Sequence, residues 1–139
     1  MTTLKRHAEL LQQSIEIIDN TLAKGLMSNP RAVGFATSAG SIDLLSIYLH
    51  KLGKISIGKI IEHQWFKKPA KEQKKEPLYE RKVGVDFLKK NEIYDLLCEI
   101  EEKRTILAYG NPTGKDVEKC INSFWKLKKL IEDLTGEEL

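Results

Sequence analysis

Cysteine is scarce in this chain: only Cys98 and Cys120 occur among 139 residues, both within helical patterns and neither at zinc-ligand spacing. A disulfide framework or a metal site is therefore not expected, and the two thiols read as small core or near-surface groups. Long apolar runs are missing as well. No stretch reaches the roughly 18 consecutive apolar residues of a membrane-spanning helix. The opening MTTLKRHAELLQQSIEIIDN mixes charge into its apolar periodicity, unlike a secretory signal. A soluble cytoplasmic protein without a membrane partner is the expectation.

The signatures of common chemistries are also absent. No phosphate-cradling G-x-x-x-x-G-K-[ST] loop occurs; GNPTGK is only superficially similar, because no strand precedes it and its spacing is wrong. His7, His50 and His63 lie far apart in sequence, with no H-E-x-x-H and no carboxylate at metal-site spacing. Nucleophile motifs of the G-x-S-x-G type are missing. No metal or cofactor is expected, and most enzyme classes lose their usual mark.

What the chain does have is Leu, Ile and Val in plenty, enough for one compact domain over residues 1–139 with a real core. The net charge of +3 is unevenly spread. Between Lys67 and Lys82, KKPAKEQKKEPLYERK carries seven basic and three acidic residues, a local +4 that leaves −1 for the remainder. With Pro69 and Pro77 and few apolar residues, this segment reads as a flexible basic loop. Its lysines, Lys67, Lys68, Lys71, Lys74 and Lys75 among them, either form a solvated face or hold phosphates nonspecifically.

The rest is helical in pattern. Leu4, Ala8, Leu11, Ile15, Ile18 and Leu22 alternate steps of four and three, giving an amphipathic first helix over 4–24 that Gly25 is placed to end. Asn29 as cap, Pro30 at the first position and Gly53 as stop predict a second helix over about 30–51. Apolar residues from Val33 to Leu49 surround most of its circumference, so it belongs at the centre of a bundle. Its small residues, Gly34 to Ser41, admit a neighbouring backbone. Asp43, within the richest apolar stretch, is expected to face solvent or cap locally, the alternative being a paired buried carboxylate.

A short third helix is predicted from Ile57 to Phe66, capped by Ser56, in which His63 reads as a surface or satisfied structural group and Trp65 as a packing anchor. A fourth helix is predicted from about Asp86 to Leu107. A fifth follows the turn YGNPTG, where Thr113 and Asp116 have capping-box spacing. No strand is expected, and the fold class is an all-α up-and-down bundle of four long helices plus a short one.

One residue breaks the pattern. In EEKRTILAYGNPTG, Arg104 stands on the same helical stripe as the apolar Ile93, Leu97, Ile100 and Leu107. A guanidinium drawn against apolar surface needs a partner: an internal carboxylate, the helix C-terminal carbonyls or an external phosphate.

A late long helix ending in R-x4-H-G, then a turn and a final amphipathic helix, is the arrangement of the HEPN superfamily (higher eukaryotes and prokaryotes nucleotide-binding). KRTILAYG, with Arg104, Tyr109 and Gly110, resembles that motif, and the likeness extends over most of the chain, including NPRAVGFATSAGSIDLLSIYLHKLG. The resemblance implies a homodimer with Arg104 and Tyr109 at or near its interface. Many members are metal-independent RNases, often toxins paired with a nucleotidyltransferase antitoxin, and Arg104 would hold the scissile phosphate.

The chain departs from the family in carrying Tyr109 where the motif has histidine. A phenol, with an ordinary pKa of about 10, is a poor base at neutral pH. Unless His63 or another residue reaches the site, catalysis should be weak or lost. Thr105 replaces the frequent Asn, and Asn111 stands where modified toxin members have tyrosine, so that regulation is not carried over. Three readings follow. The first is a dimeric module in which Arg104, Tyr109 and Asn111, with the basic loop, bind RNA, a nucleotide or a partner protein without efficient turnover. The second is an endoribonuclease using Arg104 and Tyr109. The third is a bundle in which Glu99, Glu101 or Asp43 neutralises a purely structural Arg104.

Overall fold

The computed structural model describes residues 3–68 and 76–139. The architecture is an all-α bundle of five helices among the described residues: α1 (Leu4–Ala23), α2 (Pro30–Lys51), the short α3 (Leu78–Val83), α4 (Lys90–Tyr109) and α5 (Gly114–Thr135). Local chemistry sets the starts. The Thr3 side chain accepts from Arg6 N–H to open α1, and Asn29 accepts from Ala32 N–H with Pro30 at the first turn of α2. Thr113 and Asp116 form a reciprocal capping box at α5.

The four long helices run up and down. His7 at the start of α1 meets Asp43 late in α2, while Ser14 meets Gly40 near the middle, so the two are antiparallel. Arg104 and Leu107 lie against Gly34, whereas Tyr48 bonds to the Leu88 carbonyl, so α4 is antiparallel to α2. Salt bridges from Lys103 to Asp116 and from Lys119 to Glu99 set α5 antiparallel to α4. α2 packs on α1, α4 and α5 and is buried on nearly every side. It has the length and mean hydropathy (1.3) of a membrane span, but 78% of that window is buried within the bundle, as in a core helix.

Two differences from the sequence expectation shape the site. The predicted helix over 57–66 is a single 3₁₀ turn, His63–Phe66. Gly58, with φ +102°, breaks the helical path near its start, and a helix this short has little stability of its own. The segment expected as a loop over 67–82 forms α3 from Leu78 onward; Lys71, Lys74 and Lys75 lie outside the described residues. Aromatic packing accounts for both elements. Phe66 stacks on Tyr79 at 5.6 Å and 10°, Tyr79 meets Tyr94 at 4.5 Å, and Phe87 packs edge-on to Tyr94 and Tyr48. This cluster fastens the 3₁₀ turn and α3 to the first half of α4. The fourth helix begins at Lys90 rather than at Asp86 and continues through Tyr109.

Candidate functional site

Arg104 sits on the face of α4 that turns toward α2, and α2 opposes it with a glycine. A Cβ on Gly34 would lie 3.0 Å from Leu107 Cβ and 3.4 Å from the Arg104 carbonyl oxygen, so the close approach requires a residue without one. The Arg104 backbone thus packs tightly while its half-buried side chain leaves along the edge of α2. Its guanidinium lies over the Phe35 ring, 4.9 Å from the centroid.

The groove it enters has a volume of about 570 Å³. α2 contributes Phe35, Ser38 and Asp43 among others, α4 contributes Arg104, and the segment before and within the 3₁₀ turn contributes Ile61 to Gln64. Ile61 and Phe66 are buried and anchor that segment, which leaves His63 between them facing the groove.

His63 does not stand alone. Its Nδ1 is 2.8 Å from Oε2 of Glu101, a carboxylate buried one turn before Arg104 on α4. The imidazole itself is 35% exposed. In a neutral imidazole, a carboxylate on Nδ1 selects the tautomer with the proton on Nδ1 and the lone pair on Nε2. The groove therefore combines a guanidinium with an oriented imidazole, a pairing suited to holding an anion and moving a proton.

None of the three carboxylates named as internal partners takes that role toward Arg104. Glu101 is bonded to His63, Asp43 to His7 at 2.8 Å, and Glu99 to Lys119 at 3.3 Å and to the Ser123 hydroxyl at 2.9 Å. Among the described residues no carboxylate lies within 4.0 Å of the Arg104 guanidinium. Asp43 corrects its own expectation: it is buried, not turned to solvent, and its pairing with His7 ties α1 to α2. Burial pushes the Asp43 carboxyl above the usual carboxylate range, against the opposing pull of His7 and Arg6.

Tyr109 ends α4, is 65% exposed and lies outside the groove lining. Its ring meets Phe35 edge-on at 6.2 Å, so Arg104 and Tyr109 are joined through Phe35 rather than by direct contact. Arg31, which sequence reasoning missed, completes this surface. Its guanidinium lies 5.4 Å from the Phe35 centroid and 5.2 Å from that of Tyr109. The sequence does place Arg31 and Phe35 one turn apart, but the third partner comes from a different helix.

Asn111 is exposed in the turn after α4 and is not among the groove residues. Lys67 and Lys68 border a separate cavity of about 360 Å³, with Cys98 and Glu101 in its wall. Glu101 thus stands between the two spaces. Both cysteines are buried and unpaired, and burial pushes each thiol up to about 11. Among the described residues no three His, Cys, Asp or Glu side chains are grouped to hold a metal ion. No family model, curated protein or solved structure matches this chain.

Proposed function

We propose that this chain is a HEPN-like module that binds the phosphates of RNA or of a nucleotide in the groove beside α2, with Arg104 as the principal anion-binding group. The observation that carries this reading is the Arg104 guanidinium: half-buried, stacked on Phe35 and without a carboxylate partner among the described residues. Such a group gains most from an external anion, because hydrogen bonds to its remaining donors offset its partial desolvation. Arg31, Phe35 and Tyr109 extend the surface with alternating cationic and aromatic faces, which suit a phosphate chain carrying unstacked bases.

By the family resemblance the working unit is a homodimer, and its partner is RNA, a nucleotide or a nucleotidyltransferase-type protein. Fluorescence anisotropy with a single-stranded RNA tests the binding. Arg104→Ala weakens it by about 10- to 100-fold, as expected for loss of a charged hydrogen-bonding group. Affinity indifferent to Arg104 overturns the reading.

A second reading, a metal-independent endoribonuclease, is favoured by one specific observation: His63, oriented by Glu101, lines the same groove as Arg104. In this reading His63, not Tyr109, does the work of the missing motif histidine. Nε2 takes the proton of a ribose 2′-hydroxyl as its oxygen bonds to phosphorus. The bond from phosphorus to the 5′-oxygen breaks, and that oxygen takes a proton from solvent. Incubation of a structured RNA with chelator present tests it. Cleavage abolished in both His63→Gln and Arg104→Ala supports it, and intact RNA with wild-type protein leaves binding alone.

A further inference from the structure

Among the described residues, four of the eight exposed large hydrophobic ones fall on two short loops at one end of the bundle: Leu52, Ile57 and Ile60 after α2, and Leu88 before α4. Each loop is fastened to a neighbouring helix. Lys59 Nζ donates to the Lys82 carbonyl at 3.1 Å, and the Tyr48 hydroxyl on the last turns of α2 donates to the Leu88 carbonyl at 3.1 Å. Ile55, Val85 and Phe87 turn inward and pack on the core. Ile57, Ile60 and Leu88 stand outward, at 59%, 69% and 67% exposure. Arg31 lies about 30 Å away along α2, at 1.5 Å per residue, whereas the Arg104 groove begins beside this end, at Ile61.

This end is basic where the loops meet the helix ends. Residues 51–60 and 81–90, which include the helix residues Lys51, Arg81, Lys82 and Lys90, carry seven cations and one carboxylate, Asp86, and of these Lys51, Lys89 and Lys90 are paired with Glu137, Glu92 and Glu80. Asp86 is paired with Lys90 at 2.9 Å. Lys54, Lys59 and Lys82 have no carboxylate within 4.0 Å among the described residues. Exposed aliphatic side chains set among unpaired lysines combine the two features by which a protein holds an anionic bilayer surface: hydrocarbon that enters the interface and cations that meet lipid phosphates. Nucleic acid fits this end less well. Its bases stack on flat faces, and branched aliphatic side chains would stay in water against a sugar–phosphate chain.

We propose that this end of the bundle docks onto an anionic lipid surface, with Ile57, Ile60 and Leu88 entering the interface and Lys54, Lys59 and Lys82 against the headgroup phosphates. The proposal is independent of what the Arg104 groove binds.

The test is co-sedimentation of the full chain with vesicles of phosphatidylcholine, alone or doped with phosphatidylglycerol. Binding is expected only to the doped vesicles. It should fall at least about tenfold in the Lys54→Glu/Lys59→Glu variant, in line with about 1 kcal/mol per basic residue near the surface. Ile57→Asp/Ile60→Asp should weaken it comparably while leaving the thermal melt unchanged, because both positions are exposed. An environment-sensitive dye on Ile60→Cys reports insertion directly, since Cys98 and Cys120 are buried and do not compete for label. A blue shift on doped vesicles supports the proposal. Failure to sediment overturns it, as does sedimentation with the dye still in water. Displacement of the protein from vesicles by RNA that binds through Lys54 and Lys59 also overturns it and assigns this end to nucleic acid.

Discussion

Among the described residues two histidine–carboxylate pairs share the same Nδ1–oxygen distance and have different fates. His7 and Asp43 join through Nδ1 at 2.8 Å between α1 and α2, and His63 and Glu101 join through Nδ1 at 2.8 Å between the 3₁₀ turn and α4. In the first pair both side chains are about nine-tenths covered, and His7 Nε2 is buried without a partner, facing His50 at 5.6 Å between ring centroids. In the second the carboxylate is as deeply covered but the imidazole is a third exposed and opens on the groove that holds Arg104. The comparison shows that the same pair can be closed or open to a groove. The difference is whether the nitrogen remote from the carboxylate is enclosed or open to solvent.

Asp43→Ala breaks the closed pair and carries the largest expected effect. It leaves the buried His7 ring without either partner and should cost about 2–3 kcal/mol in urea unfolding. Glu101→Ala, whose imidazole partner can turn to water, should cost only about 1 kcal/mol. Equal losses would erase the distinction between the pairs.

Acid provides a smaller effect. Burial and the neighbouring His7 hold the His50 imidazole below its ordinary 6.5. Between that lowered value and 6.5 the unfolded chain binds more protons, so stability is complete above pH 6.5 and falls as the pH drops through this window. A melting temperature roughly 2–4 °C lower at pH 5.5 than at pH 7.5, with the difference reduced in His50→Gln, would place this sensitivity at His50, beside the closed pair. Asp43 contributes with the opposite sign between 3.8 and its raised value, because its raised carboxyl favours the folded state when protonated.

The smallest expected effect belongs to Tyr109→Phe. It keeps the ring against Phe35 and Arg31 and removes only the hydroxyl, so RNA affinity should stay within about twofold. Any cleavage should persist, in contrast to its loss in His63→Gln. Cleavage lost in Tyr109→Phe instead would return proton transfer to the phenol.

The fold was largely legible in the sequence because its information is local. Asn29 and Pro30 open α2, the all-round apolar run from Val33 to Leu49 marks it as central, and Thr113 with Asp116 opens α5. Arg104 was legible as an anomaly for the same reason, since a charge on an apolar stripe shows in one helix read by itself. The pairs were not. His7 and Asp43 are 36 residues apart and His63 and Glu101 are 38 apart. Each residue sits on a predictable helix or turn, but the register between elements depends on packing that no periodicity encodes. Asp43 in particular looked solvent-facing because its partner is supplied by α1. The 3₁₀ turn was not legible, because a helix over 57–66 capped by Ser56 leaves out the break at Gly58.

At Gly34, the separation between α2 and α4 is held by the absence of a single methyl group. A Cβ there would press on Leu107 at 3.0 Å, and one helix would have to give by a few tenths of an ångström. Gly34→Ala therefore adjusts the spacing between Phe35 and the guanidinium above it while leaving every groove side chain chemically intact. Selection acting on this one position could alter the width of the groove without replacing any side chain that lines it.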